Sequence, residues 1–299
     1  MIIKNSIKIL SFIICVAYSS EAICQCSFND KKDEVQLFKI KQKDKKYNLL
    51  QLPDDDNDNE NGLYIGADLG FYFANRYTAS NYNGSGRNNL DSVINYYQNY
   101  TRIKEALLYD FSLAELPAKM HYSPAFALGV YFKYAIKNSG IIMQFHFSKL
   151  KAKDVFTLKV DDPNNFSSDP VYKQESIWGS EQRASIDIGY SYMFNPESKY
   201  RPFIQCGINL TNTKYIENKI NIEGMEFSLT SLYYLYYKLE QGGVGVGAFG
   251  GGGMNLIFSE SISVMPTLNI YYSQVKMGNY TAPHLNYTFY ISTILNGIL

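Results

Sequence analysis

The stretch Leu63-Tyr64-Ile65-Gly66-Ala67-Asp68-Leu69-Gly70-Phe71-Tyr72-Phe73 alternates two kinds of side chain along its length. Leu63, Ile65, Ala67, Leu69, Phe71 and Phe73 share one face, and Tyr64, Gly66, Asp68, Gly70 and Tyr72 share the other. Successive side chains of a strand point to opposite faces, so this segment has one apolar and one mixed surface. A strand of about 10 residues, tilted, is also what crosses a bilayer.

Seven further stretches repeat the pattern. Between about Ser123 and Ala135, Phe126, Leu128, Val130, Phe132 and Tyr134 oppose Ala127, Gly129, Tyr131 and Lys133, and Asn138-Ser139-Gly140 offers a tight turn. From Ile141 to about Val160, Ile141, Met143, Phe145 and Phe147 oppose Ile142, Gln144, His146 and Ser148. From about Ile177 to Met193, Ala184, Ile186, Ile188, Tyr190 and Tyr192 oppose Glu181, Arg183, Ser185, Asp187, Gly189 and Ser191. Pro202 to Thr213, the glycine-rich Gly243 to Phe258, the segment from Ile262 to Tyr272 and the segment from Leu285 to Leu295 complete the set. Connections alternate short and long, as expected of an up-and-down transmembrane barrel with short periplasmic turns and long external loops. The expected fold is all-β: an eight-stranded antiparallel up-and-down transmembrane β-barrel with a helix in the first external loop.

The rest of the chain agrees. Lys4 and Lys8 precede a short apolar run from Ile9 to Ala17, followed by Ser20-Glu21-Ala22, so residues 1–22 read as an export signal peptide. Residues 23–61 are lysine-rich and then acidic, and read as a flexible periplasmic leader, with 62–299 as the barrel. Of four cysteines, Cys24 or Cys26 near the cleavage point invites a lipid anchor, but the flanking residues match a lipoprotein signal poorly. With 28 basic and 28 acidic side chains among 299 residues, no nucleic-acid partner is implied. Tyrosine, at 27 residues, suits the aromatic girdles at membrane interfaces.

On these patterns the chain from 63 to 299 resembles the small outer-membrane barrels of Gram-negative bacteria, of the OmpA/OmpX type and its PorT-like relatives among Bacteroidetes. The resemblance implies an outer-membrane location, contact with outer-membrane lipid and insertion by the barrel-assembly machinery. The end of the chain departs from that pattern, since Tyr290 to Leu295 continues to Leu299 without a terminal aromatic residue.

Eight strands enclose a lumen that side chains can fill. Inward faces would gather Asp68, Lys133, Gln144, His146, Glu181, Arg183 and Asp187 into a polar network, with Gln205, Asn209, Asn255 and Asn269 beside it. Such a set reads as a charge-paired plug; the competing reading is a solute path. The first loop, 74–122, should hold a helix between Asn89 and Phe111, whose face would carry Val93, Tyr96, Tyr97, Tyr100, Ile103, Leu107, Leu108 and Phe111, capped by Asp91 or Asn89. Tyr96, Tyr97 and Tyr100, with Tyr233, Tyr234, Tyr236 and Tyr237 of the third loop, form a candidate external contact surface for a protein partner.

No residue spacing implies a metal, cofactor or catalytic nucleophile. Gly245 to Gly250 spells GxGxxG, but within an alternating strand and with no helix after it. His121 and His284 fall near the external rim, where Asp110 or Glu115 could approach. The expected function is therefore a non-enzymatic outer-membrane barrel that presents external loops for binding or serves a surface or secretion assembly. Transport of a small or hydrophobic molecule through a gated lumen is the alternative, and a rim-located lipid or peptide hydrolase or acyltransferase the third.

Overall fold

The computed structural model describes residues 61–162, 170–230, 242–277 and 282–296. The expected signal peptide and leader, Cys24 and Cys26, and Tyr233, Tyr234, Tyr236 and Tyr237 lie outside the described residues. The strands are β1 (Gly62–Phe73), β2 (Phe111–Glu115), β3 (His121–Tyr122), β4 (Ala125–Ile136), β5 (Ser139–Val160), β6 (Val171–Met193), β7 (Tyr200–Ile222), β8 (Met225–Ser228), β9 (Gly243–Ser259), β10 (Ile262–Gln274) and β11 (Pro283–Leu295). Three helices, α1 (Arg76–Ala79), α2 (Leu90–Ile94) and α3 (Tyr97–Leu107), follow β1.

Eight strands close a ring in the order β1, β4, β5, β6, β7, β9, β10, β11, every neighbour antiparallel. The seam is the β1–β11 ladder, running from Ile65 opposite Leu295 to Phe73 opposite Tyr287. Closure removes free edges from the wall, so its backbone polar groups are satisfied within the ring. The strands alternate as their sequences demand. On β1, Leu69, Phe71 and Phe73 are exposed while Asp68, Gly70 and Tyr72 are buried. Ile141, Met143, Phe145 and Phe147 of β5, Ile186, Ile188 and Tyr190 of β6, and Leu268, Ile270 and Tyr272 of β10 continue the outward apolar belt. A contiguous apolar surface encircling a whole protein is the surface a lipid bilayer covers.

Glycines on the wall make room for what fills it. A Cβ at Gly129 would lie 2.2 Å from the His146 ring, and one at Gly251 would lie 2.0 Å from Asn269 Oδ1. Phe249 reaches across to Gly189 and Gly207, where added Cβ atoms would meet its ring at 3.0 and 2.8 Å. Gly245 to Gly250 thus sits in strand β9, with glycine serving packing.

Three expectations need correction. The wall is taller on one side than the sequence suggests: β6 begins at Val171 and β7 runs to Ile222, beyond the expected limits of Ile177 and Thr213. Around Ile216 the β6–β7 register shifts, with Glu181 facing Tyr215 but Ser180 facing Glu217. This β-bulge moves the buried set from Thr211 and Thr213 to Asn218, Ile220 and Ile222, so the alternation loses step at the point where the sequence pattern placed the strand's end. The tight turn after β4 also lies one residue earlier than expected, at Lys137-Asn138, with Lys137 at φ 52.

The third correction concerns the first loop, where the single helix is broken. Helix α2 ends at Ile94 with Asn95 as its cap, α3 starts after Tyr96, and Phe111 opens strand β2. The cap is Asn89, whose side chain accepts from the Ser92 amide. Of the expected face, Ile103, Leu107 and Phe111 are buried, but Tyr96, Tyr97 and Leu108 are exposed. Leu90 and Ile94 take their place in the interior.

The tall part of β5, β6 and β7, flanked by β2, β3 and β8, forms a curved sheet at the long-loop end. Leu150, Ala152, Phe156, Leu158, Ile177, Ile220 and Ile222 line its inner face and pack with Ala79, Tyr82, Leu90, Ile94, Ile103 and Leu107 of the loop in one apolar cluster. Arg102 of α3 stacks over Phe227 of β8 at 5.4 Å. The barrel thus carries a head with its own hydrophobic core. Phe156→Ala should cost this head about 3–5 kcal/mol, read as faster hydrogen exchange in α2 and α3 with the β1–β11 seam unchanged.

Candidate functional site

Two polar clusters occupy the axis, and they are separate. In the lower one, β5 aims His146 between Asp68 of β1 and Asp187 of β6: Nε2 lies 2.9 Å from Asp68 Oδ2, and Nδ1 lies 3.5 Å from Asp187 Oδ2, ion-pair range but off hydrogen-bond geometry. The imidazole stacks on Tyr290 at 4.1 Å. Asn209 Nδ2 and the Tyr271 hydroxyl donate to Asp187 at 2.5 and 2.8 Å. Gln205 donates to Asn269 Oδ1 at 2.8 Å, and Thr211 to Asn209 Oδ1 at 2.8 Å. Gln144 is buried at this level, while Lys133 lies buried toward the short-turn end, where its stem covers Gly140.

The upper cluster joins barrel to head. Arg183 Nε donates to Glu181 Oε1 at 2.6 Å, Nη1 to the Tyr72 hydroxyl at 2.9 Å and Nη2 to Thr78 Oγ1 at 3.1 Å. The hydroxyls of Tyr82 and Tyr122 both donate to Glu181 Oε2 at 2.9 Å. The guanidinium lies over the rings of Tyr72 and Tyr122 at 5.4 and 5.5 Å. Tyr82 fits here because β6 offers Gly179, where a Cβ would stand 1.9 Å from the ring. Burial and then the Glu181 carboxylate hold the Tyr82 phenol well above its ordinary pKa, which keeps it a donor. One ion pair with four polar partners therefore fastens the loop to the wall.

Of the expected network, Asp68, His146 and Asp187 meet, Glu181 and Arg183 meet, and Gln144 and Lys133 join neither pair through a hydrogen bond. Tyr271, Tyr290, Thr78, Tyr82 and Tyr122 were not anticipated. Period-two alternation could have found Tyr271 and Tyr290, each inward between outward neighbours. No local signal marks Thr78 or Tyr82, which reach Arg183 and Glu181 across roughly a hundred residues of chain.

At the rim, His121 is exposed, with Nδ1 3.0 Å from the Lys119 carbonyl, and His284 packs against the Tyr77 ring, tilted by 39° with centroids 4.1 Å apart. Asp110 is engaged elsewhere: Lys104 Nζ lies 2.7 Å away and the Tyr100 hydroxyl donates at 2.5 Å. Those two contacts lower the Asp110 pKa and raise those of Lys104 and Tyr100. Among the described residues no group of His, Cys, Asp and Glu is placed to hold a metal ion.

No protein-family model matches the chain, and neither does any curated protein. Among solved structures it is similar to Neisserial surface protein A, at 9% identity and TM-score 0.42, over 78% of this chain and 96% of that one. It is also similar to the outer membrane protein OprG from Pseudomonas aeruginosa, at 9% and 0.34 over 79% and 93%. The attachment invasion locus protein Ail of Yersinia pestis gives 9% and 0.33 over 79% and 96%.

Glu181→Gln leaves Arg183 buried without its counter-charge, a loss of about 3–5 kcal/mol. The expected result is proteolytic cleavage within 76–115 while the membrane-level strands stay protected. A milder effect belongs to Asp110. Its folded pKa lies below its unfolded value of 3.8, so its contribution is complete above that value and fades as pH falls through the folded pKa. Exchange in α3 should quicken over that acid window in the parent chain, and Asp110→Asn should remove the dependence.

Proposed function

We propose that this chain is a non-enzymatic outer-membrane barrel with a closed lumen, whose head at the long-loop end binds a protein partner or docks into a larger surface or secretion assembly. Residues 1–22 serve as its export signal and 23–61 as a periplasmic leader, with the short turns on the periplasmic side. The observation that carries this reading is the packed head. A barrel that needed only to span lipid has no use for strands that continue past the apolar belt, nor for a loop locked onto them through a buried ion pair. Rigid presentation lowers the ordering cost of binding. The exposed Tyr96 and Tyr97, at 56% and 81% of their surface, supply the aromatic contacts that interfaces favour.

The filled axis speaks against the transport reading. Phe249, Tyr271, Tyr290 and His146 are buried inside the lumen, and Phe249, Tyr290 and His146 lie directly against wall glycines, at Gly189 and Gly207, Gly70 and Gly129. For the hydrolase reading, His121 and His284 would need a carboxylate partner, and their observed contacts are a backbone carbonyl and a tyrosine ring.

Two measurements test the proposal. The purified chain in planar bilayers should pass essentially no steady current; discrete, long-lived channel openings would favour transport. Capture of intact complexes in mild detergent should recover a partner that Tyr96→Ser/Tyr97→Ser loses while the barrel keeps its heat-modifiable migration. Equal recovery by that variant would remove the tyrosine surface from the account.

A further inference from the structure

On the outward face of β5 the apolar series Ile141, Met143, Phe145, Phe147 gives way without a gap to Lys149, Lys151 and Lys153, all exposed. The strand register extends this basic patch sideways. Lys149 faces Gln182, which faces Lys214; Lys151 faces Ser180, which faces Glu217; Lys153 faces Trp178, which faces Lys219. Three rows of three strands thus surround one indole with five lysines. Lys151 Nζ lies 5.9 Å from the Trp178 ring.

The acidic neighbours are already committed. Lys219 holds Glu226 at 3.2 Å and Glu217 at 3.5 Å, and Asp154 accepts from the Lys119 amide. Among the described residues Lys149, Lys153 and Lys214 have no carboxylate partner, and Lys151 has only the indole. A surface with this much unbalanced positive charge attracts an anion.

Its height says which kind. From Ser139, at the short-turn end of β5, to Lys149 is ten residues. At roughly 3.4 Å per residue and about 40° of tilt, that climb is roughly 26 Å, the height of an apolar barrel band. Lys149, Gln182 and Lys214 therefore stand at the upper edge of the belt, where lysine stems rest on hydrocarbon and ammonium groups reach the headgroup layer. Trp178, opposite Lys153, stands four residues higher, about 10 Å above that edge and toward the outer side of the headgroup layer.

We propose that Lys149, Lys151, Lys153 and Lys214 around Trp178 form a binding site for a phosphate-bearing anionic lipid headgroup in the leaflet on the long-loop side. The site rests on the reading of the barrel as membrane-inserted. It holds the tall wall of β5–β7 at a defined depth in the bilayer.

Trp178 is the only tryptophan in the chain, so its emission reports on this site alone. The full chain would be inserted into phosphatidylcholine vesicles with increasing fractions of phosphatidic acid, and insertion checked by flotation. Emission should change saturably with phosphatidic acid and stay constant in phosphatidylcholine alone or with inorganic phosphate. K149Q/K151Q/K153Q/K214Q should raise the half-saturating fraction by about tenfold, whereas K137Q/K199Q, altered at the short-turn end, should match the parent. An inserted chain with no response, an equal response in the quadruple variant, an equal loss in the control variant, or a matching response to inorganic phosphate would each overturn the site. Failure to float with vesicles would overturn the inserted barrel as well, and so separates the two.

Discussion

The ladder between β1 and β11 is the constraint on which the rest depends. An open sheet of these strands would leave two rows of backbone amides and carbonyls without partners in an apolar setting, a cost of several kcal/mol for each group. Pairing Ile65 through Phe73 with Leu295 through Tyr287 removes both rows together. Once the ring is closed, period-two alternation sorts every side chain to one side of the wall. The outward set becomes the belt, and the inward set must satisfy itself.

How it does so differs with height. At belt level the inward groups pair across the lumen, with Asp187 reached from β5, β7 and β10 by His146, Asn209 and Tyr271. Higher up, β5, β6 and β7 outgrow their neighbours, and their inner face would present Leu150, Phe156, Leu158 and Ile177 to water. The first loop covers that face. Its apolar residues supply the driving force, and the Glu181–Arg183 pair, useless for stability unless fully partnered, selects one docking position by collecting three tyrosines and a threonine. The same protrusion leaves the outer face of β5–β7 bare above the belt, where it is basic.

Much of the barrel was legible from Leu63 to Phe73 and its repeats, because alternation is a local property and the wall is two-sided throughout. Legibility stopped where local pattern and tertiary structure part. One extra residue at Ile216 shifted the phase and hid the extension of β7 from Lys214 to Ile222. The break at Asn95–Tyr96 hid behind an apolar spacing that a continuous helix would also satisfy. Tyr96 and Tyr97, expected on the same face as Ile103 and Leu107, are exposed while those two are buried. The partners of Arg183 were unreadable for a different reason: Thr78, Tyr82 and Tyr122 become its neighbours, or those of Glu181, only after the loop has folded onto the wall. Phenol pairs of that kind carry no spacing in the sequence.

The sorting of side chains by the closed wall can be tested on β5 itself. In a chain whose cysteines, including the outward Cys206, are replaced, single cysteines from Ile142 to Phe147 would be labelled with a fluorophore in vesicles and challenged with a lipid-confined quencher. The account predicts strong quenching at Met143, Phe145 and Phe147 and weak quenching at Ile142, Gln144 and His146. Quenching that is uniform along the segment, or absent at all six positions, would contradict it.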